Sequence, residues 1–182
     1  MALRKASSYS RKKARPYTRN SRQARKSYVK TIPGDKIAKY DGGDQAGFRA
    51  GKHKFNVRLI SEEKVQVRDV ALEAARMFVV KILDENVPGQ YFIAVRVHPH
   101  HMQRENKSAG GMAGADRISS GMTQSFGQVI GRAAIIRPGQ EIFFISCVDG
   151  KGARVARDAL QDIKSKIPGR NRVVFENLEI KK

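Results

Sequence analysis

The sequence predicts an α+β fold: a mixed, mostly antiparallel sheet packed with two main helices, preceded by a basic extension and interrupted by a long central loop. Three observations lead there. Short segments of alternating apolar residues recur from about residue 52 onward, the two-residue period of half-buried strands. Two longer segments carry apolar residues at the three-to-four spacing of helices. Strands and helices then follow one another irregularly, without the regular strand–helix alternation of a doubly wound sheet.

Taken in order, Phe55, Val57 and Leu59 alternate with Asn56 and Arg58, and Val65 and Val67 flank Gln66, which predicts two short strands. Asp69 stands where a helix cap would, before a helix over roughly 70–83 whose Leu72, Ala75, Val79, Ile82 and Leu83 share one face. Pro88 and Gly89 close that unit. Residues 91–98 predict a central strand, 128–136 another, and Pro138-Gly139 a turn into a strand over 141–148. A second helix over about 151–166 carries Val155, Ala159, Leu160 and Ile163, and Pro168-Gly169 stop it before a last strand at Val173-Val174-Phe175. No internal repeat is present. The expected organisation is an extension over 1–34 and a single domain over 35–182, with a loop at about 99–127.

Charge points to the partner. The 182 residues hold 36 Lys and Arg against 17 Asp and Glu, a net charge of +19. Such a surface attracts polyanions. No apolar run is long enough for a membrane span, and the basic start has no apolar stretch after it, as a signal peptide would. A single cysteine forms no internal disulfide, and no Cys/His grid marks a zinc site. The chain is therefore expected inside the cell, in the cytoplasm, with nucleic acid as the partner, no membrane contact and no cofactor.

The charge is also uneven. Arg4, Lys5, Arg11, Lys12, Lys13, Arg15, Arg19, Arg22, Arg25, Lys26 and Lys30 fall within the first 30 residues, which contain no acid. Tyr9, Tyr17 and Tyr28 are interleaved with them. Lys and Arg neutralise phosphates and release counterions, and tyrosine rings stack on unpaired bases. Lacking apolar periodicity, the segment is expected to be disordered in water and to fold against RNA.

The central loop is the second candidate site. Arg96, His98, His100, His101, Arg104, Lys107 and Arg117 surround a glycine-rich middle with Gly110, Gly111 and Gly114, and with Met102, Met112 and Met122. Glycines permit close backbone approach and methionines adapt to irregular surfaces, so the expectation is a flexible probe among RNA helices. His98, His100 and His101 lack the further ligands a metal would need. Gly110-Gly111-Met112-Ala113-Gly114 lacks the Gly-Lys-Ser/Thr ending of a phosphate-binding loop. Cys147 sits in the apolar run Ile142–Val148, where a small buried hydrophobe fits better than a nucleophile. No pair of carboxylates stands out, and nothing asks for an enzyme.

Several groups of residues, in order and at matching spacing, carry a family resemblance. They are Ala71-Leu72-Glu73-Ala74-Ala75-Arg76, Arg96-Val97-His98-Pro99, Arg104 with Asn106-Lys107, Ala113-Gly114-Ala115-Asp116-Arg117, Gly121-Met122, Phe126-Gly127 and Pro168-Gly169-Arg170. This pattern resembles the ribosomal protein L ten-e family, the archaeal and eukaryotic counterpart of bacterial large-subunit protein L sixteen, over most of residues 1–176. The resemblance implies an α/β-hammerhead-like core docked on large-subunit rRNA, a structural role and no catalysis. It implies that the basic extension, Arg96, His98 and Arg117 contact rRNA. The loop, about His101–Asp116, would run toward the tRNA acceptor arm near the peptidyl-transferase region, with His100, His101, Arg104, Lys107, Gly110, Gly111, Met112 and Gly114 on it. Neighbouring ribosomal proteins and assembly factors are implied partners, and no homo-oligomer is expected. The chain stops at Lys182 without the longer tail of eukaryotic members and has fewer cysteines, which favours an archaeal member. The alternative reading is a free RNA-binding or RNA-modifying protein.

Overall fold

The structure is a computed structural model that describes residues 5–10, 16–26, 29–105 and 127–178. After a 3-10 turn at Ala24–Lys26, the elements run β1 (Asp41–Gly43), α1 (Gln45–Arg49), β2 (Phe55–Ser61), β3 (Val65–Arg68), α2 (Asp69–Asn86), β4 (Tyr91–Val95) and β5 (His101–Glu105). They continue with β6 (Gln128–Ile136), β7 (Glu141–Cys147), α3 (Gly150–Asp162), a 3-10 turn at Ile163–Ser165 and β8 (Asn171–Asn177). Five strands form one sheet in the order β1-β4-β7-β2-β8, and three form another in the order β3-β6-β5.

The α+β class holds, with the two expected helices and a short α1 besides. The mixed sheet does not: among the described residues every strand pairing is antiparallel. The strand predicted over 91–98 ends at Val95 and lies second from the edge, because β7 holds the central position. β7 is buried on both faces, as a central strand must be, and its run of Ile142, Phe143, Phe144 and Ile145 reflects that.

One face of the five-stranded sheet is covered by α2 and α3. Leu59 lies opposite Phe143, and Val57 and Ile93 both lie opposite Ile145. The helices bring Leu72, Ala75, Val79 and Leu83 from α2 and Ala153, Ala156 and Leu160 from α3 against them, all fully buried. The 72-75-79-83 spacing is one helical face, and burying each large side chain contributes roughly 1.5–3 kcal/mol. On the other face Phe92 and Phe144 are capped by Phe48 of α1, whose ring stacks on Phe92 at 4.6 Å.

Asp69 departs from the expected cap. Arg68 occupies the cap position without a side-chain bond, and Asp69 is the first helical residue. Its carboxylate accepts from the Val70 and Lys36 amides instead, so it ties residues 35–37 to the start of α2. The Pro168-Gly169 stop requires its glycine. Gly169 has φ +85°, and a Cβ there would stand 2.6 Å from Val65 Cγ1.

The expected loop at 99–127 is shorter than its sequence implies. Its first part is β5, paired with β6 from His101↔Ala133 to Glu105↔Gln128. Polar side chains on a strand that is covered on both sides hide the two-residue period, so β5 reads as loop.

Candidate nucleic-acid interface

The three-stranded sheet organises the cations, because the basic N-terminal segment is laid around it. On the outer edge of β3, the Gln66 amide donates to Ser10 O at 2.9 Å and Gln66 Nε2 donates to Tyr9 O at 2.6 Å. Tyr9 adopts a left-handed φ of 65°, and its hydroxyl donates to Glu105 Oε1 of β5 at 2.9 Å. Farther along, the Tyr17 amide donates to His101 Nδ1 at 2.8 Å and the Met102 amide donates to Tyr17 O at 3.0 Å. The described parts of the segment thus occupy backbone groups at both edges of the sheet, groups that otherwise invite another strand. The segment was expected to be disordered in water and to fold against RNA. The described parts pack instead, because unpaired strand edges offer hydrogen bonds that composition alone does not display.

Arg104 is fixed by the same arrangement. Its guanidinium lies 3.5 Å from the centre of the Tyr17 ring, a cation–π contact that holds both groups in one place. His101 is buried at 8% exposure, and accepting the Tyr17 N–H requires Nδ1 to carry no proton. His101 therefore acts as a pin for the arm, whereas a loop contact was expected of it. Arg104 keeps Nη1 without a hydrogen-bond partner among the described residues.

Beyond Tyr17 the chain makes an excursion closed at its base, where the Val29 amide donates to Arg19 O at 3.1 Å and Val29 is buried. Arg22, Arg25 and Lys26 stand exposed on this excursion, the latter two in the 3-10 turn. Lys5 and Arg19 are exposed as well. The main-chain bond between Val29 and Arg19 thus brackets the stretch that presents Arg22, Arg25 and Lys26.

A second cluster sits where β4 ends. Arg96 donates its amide to Ile142 O, and its guanidinium covers the Phe144 ring at 4.9 Å while the side chain remains exposed. Exposed His98 packs on Tyr40 with ring centres 4.4 Å apart, and His100 donates Nδ1–H to His98 O at 2.9 Å. Tyr40 in turn donates to Asp35, and burial followed by that carboxylate raises the phenol well above its ordinary range. Arg58 is not available to a polyanion, since it pairs with Glu141 at 3.1 Å and Glu176 at 2.8 Å.

Tyr40 and Glu105 were not singled out in the sequence, and Tyr9 was noted there only as a ring interleaved with the basic residues. Their partners are distant in the chain, and no local pattern connects them. Arg4, Arg11, Lys12, Lys13, Arg15, Lys107, Gly110, Gly111, Met112, Gly114 and Arg117 lie outside the described residues. Cys147 is fully buried in β7, and burial pushes its thiol up to about 12. Among the described residues no group of His, Cys, Asp and Glu could hold a metal ion, and no helix is long and apolar enough to cross a membrane.

Fold and surface of the described residues define a class: a basic α+β protein with two antiparallel sheets that displays anchored cations and aromatic rings. Residues 12–174 match the family described as Ribosomal protein L16p/L10e, and the chain belongs to that family. It is similar to the large ribosomal subunit protein uL16 of Staphylothermus marinus, 38% identical over 180 residues that cover 98% of this chain and 97% of the relative. The protein of the same name from Picrophilus torridus is 42% identical over 168 residues, 90% of this chain and 91% of the relative. That of Archaeoglobus fulgidus is 35% identical over 167 residues, 91% and 89%. These relatives are archaeal, as the resemblance implied, and a member of this family is a structural protein and not an enzyme.

Proposed function

We propose that the chain is a structural constituent of the large ribosomal subunit in the cytoplasm, where it binds large-subunit rRNA and meets neighbouring ribosomal proteins. The observation that carries this reading is the family match across residues 12–174, which takes in most of the basic arm, both sheets and the segment between β5 and β6. Lys5, Arg19, Arg22, Arg25 and Lys26 serve as phosphate contacts, joined by Arg4, Arg11, Lys12, Lys13 and Arg15 of the same acid-free segment. Arg96 and His98 add contacts beside β4. The loop of about His101–Asp116, with Lys107, serves the tRNA acceptor arm near the peptidyl-transferase region, and Arg117 is a further rRNA contact. The physical case rests on charge: phosphate contacts dominate RNA affinity, and 11 of the chain's net 19 positive charges lie in the first 30 residues, where no acid competes.

The test is sedimentation of the tagged chain through a sucrose gradient of lysate, before and after a high-salt wash. Co-migration with large subunits that survives the wash is the expected result. A chain left at the top of the gradient, or stripped by modest salt, would mean a free or transient RNA binder and sink the proposal.

A further inference from the structure

A recess of about 910 Å³ opens beside the three-stranded sheet. Its walls come from four places in the chain: Pro16 of the arm, Lys64 of the β2–β3 turn, His100 before β5, and Ile135 to Gln140 at the end of β6. Lys64, His100 and Arg137 are exposed, and no acid among the described residues lines the recess. Glu63, the acid next to Lys64, is drawn to Arg170 at 3.5 Å instead. Neither Lys64 nor Arg137 has an ion-pair partner among the described residues.

The β6–β7 turn that carries Arg137 is held in place. The Gly139 amide donates to Ser61 O at 2.7 Å, Ser61 N donates to Gln140 O, and the Arg137 amide donates to Gln140 Oε1. Pro16, Ile135 and Pro138 contribute apolar surface between these polar groups. His100 donates Nδ1–H to His98 O, so in the neutral ring Nε2 is left as an acceptor. A site built this way has two cations for one anion, three apolar side chains against which a flat group can rest, and an acceptor for a hydroxyl.

We propose that this recess takes one unpaired ribonucleotide of the bound RNA, with its phosphodiester between Lys64 and Arg137, its base against Pro16, Ile135 and Pro138, and its 2′-hydroxyl donating to His100 Nε2. A duplex presents phosphates on an outer surface and has no base free to enter a recess, whereas RNA loops and bulges release single bases. The 2′-hydroxyl contact makes the site prefer RNA over DNA. This inference rests on the ribosomal reading above and adds to it a place and a chemistry for one contact.

The experiment uses salt-washed large subunits that contain the full chain, irradiated with ultraviolet light and digested, with nucleotide–peptide adducts identified by mass spectrometry. Adducts on the peptides holding residue 64 or residues 135–140 are expected. In the Lys64→Ala/Arg137→Ala variant their yield should fall about fivefold or more while the chain still enters subunits, since two of many phosphate contacts are lost. Both side chains are exposed and have no ion-pair partner among the described residues, so the fold should survive. Subunits that hold the chain but give adducts only elsewhere would overturn this inference and leave the ribosomal reading standing. Subunits without the chain would overturn both. Carbodiimide coupling of Lys64 to a carboxylate of a neighbouring protein would assign the recess to an acidic protein partner and overturn it as well. A titration of the isolated chain, followed at the Gly139 amide, separates the ligand sources. Uridine monophosphate should bind about fivefold or more tightly than inorganic phosphate or the deoxy analogue. Equal binding of inorganic phosphate would reduce the recess to an anion site and overturn the nucleotide.

Discussion

Cys147 and the Glu73–Arg76 pair show how surroundings set chemistry one side chain at a time, burial for the thiol and a hydrogen-bonded cation for the carboxylate. Cys147 lies under α3 with its thiol pushed up to about 12, and the thiolate is the reactive form. At pH 8 the folded chain should therefore resist alkylation by iodoacetamide, and the same chain in denaturant should react quickly. Rapid modification of the native chain, measured by mass, would show that β7 is not closed. Glu73 accepts two hydrogen bonds from Arg76, at 2.6 and 2.8 Å, and one from the Ala38 amide. The Arg76 hydrogen bonds and charge hold its carboxyl below the usual range. A lowered carboxyl pKa stabilises the fold above the ordinary glutamate value, and that contribution is lost as pH falls through the lowered one. Glu73→Gln should thus cost about 1 kcal/mol at neutral pH, and the difference from the parent should shrink in acid. Melting curves across pH check this; a gap that persists or grows in acid would contradict it.

At the scale of elements, the arm around the three-stranded sheet makes a local prediction. The Gln66 and Met102 amides take their acceptors from Ser10 and Tyr17. Deleting residues 2–20 should raise hydrogen exchange at those two amides by about tenfold or more, while β7 amides stay protected. Unchanged exchange would mean that the arm does not occupy these edges in solution. Much of the element pattern was legible because each strand and helix that faces the main core repeats its apolar residues at the expected period. α2 and α3 were found for that reason. β1 and α1 were missed: Asp41–Gly43 and Gln45–Arg49 are short and polar, and their only large anchor, Phe48, reaches a small second cluster of Phe92 and Phe144. β5 was missed because two of its buried residues, His101 and Gln103, are polar, and His101 is held there by the Tyr17 amide. The cationic residues of the candidate site could be named from charge alone. Which of them are pinned, as Arg104 is by Tyr17, depends on contacts 80 or more residues apart in the chain, as the Tyr17–His101 separation of 84 shows.

For the whole molecule, the governing quantity is the distribution of its net +19. Replacing Arg22, Arg25 and Lys26 together by Gln changes exposed side chains on an excursion whose closing bond, Val29 to Arg19, is main-chain. The fold should survive, and the log–log salt slope of rRNA binding should drop by up to about three. A slope that stays the same would remove the excursion from the contact surface. The arm also has a history during synthesis. Tyr9 emerges 96 residues ahead of Glu105, and Tyr17 emerges 84 ahead of His101. At roughly 5–20 residues per second, the most basic stretch of the chain spends on the order of several seconds with neither sheet edge yet made. A nascent chain of this kind would need a chaperone or an early RNA encounter to cover those cations, and the order in which its parts are born would decide which partner meets them first.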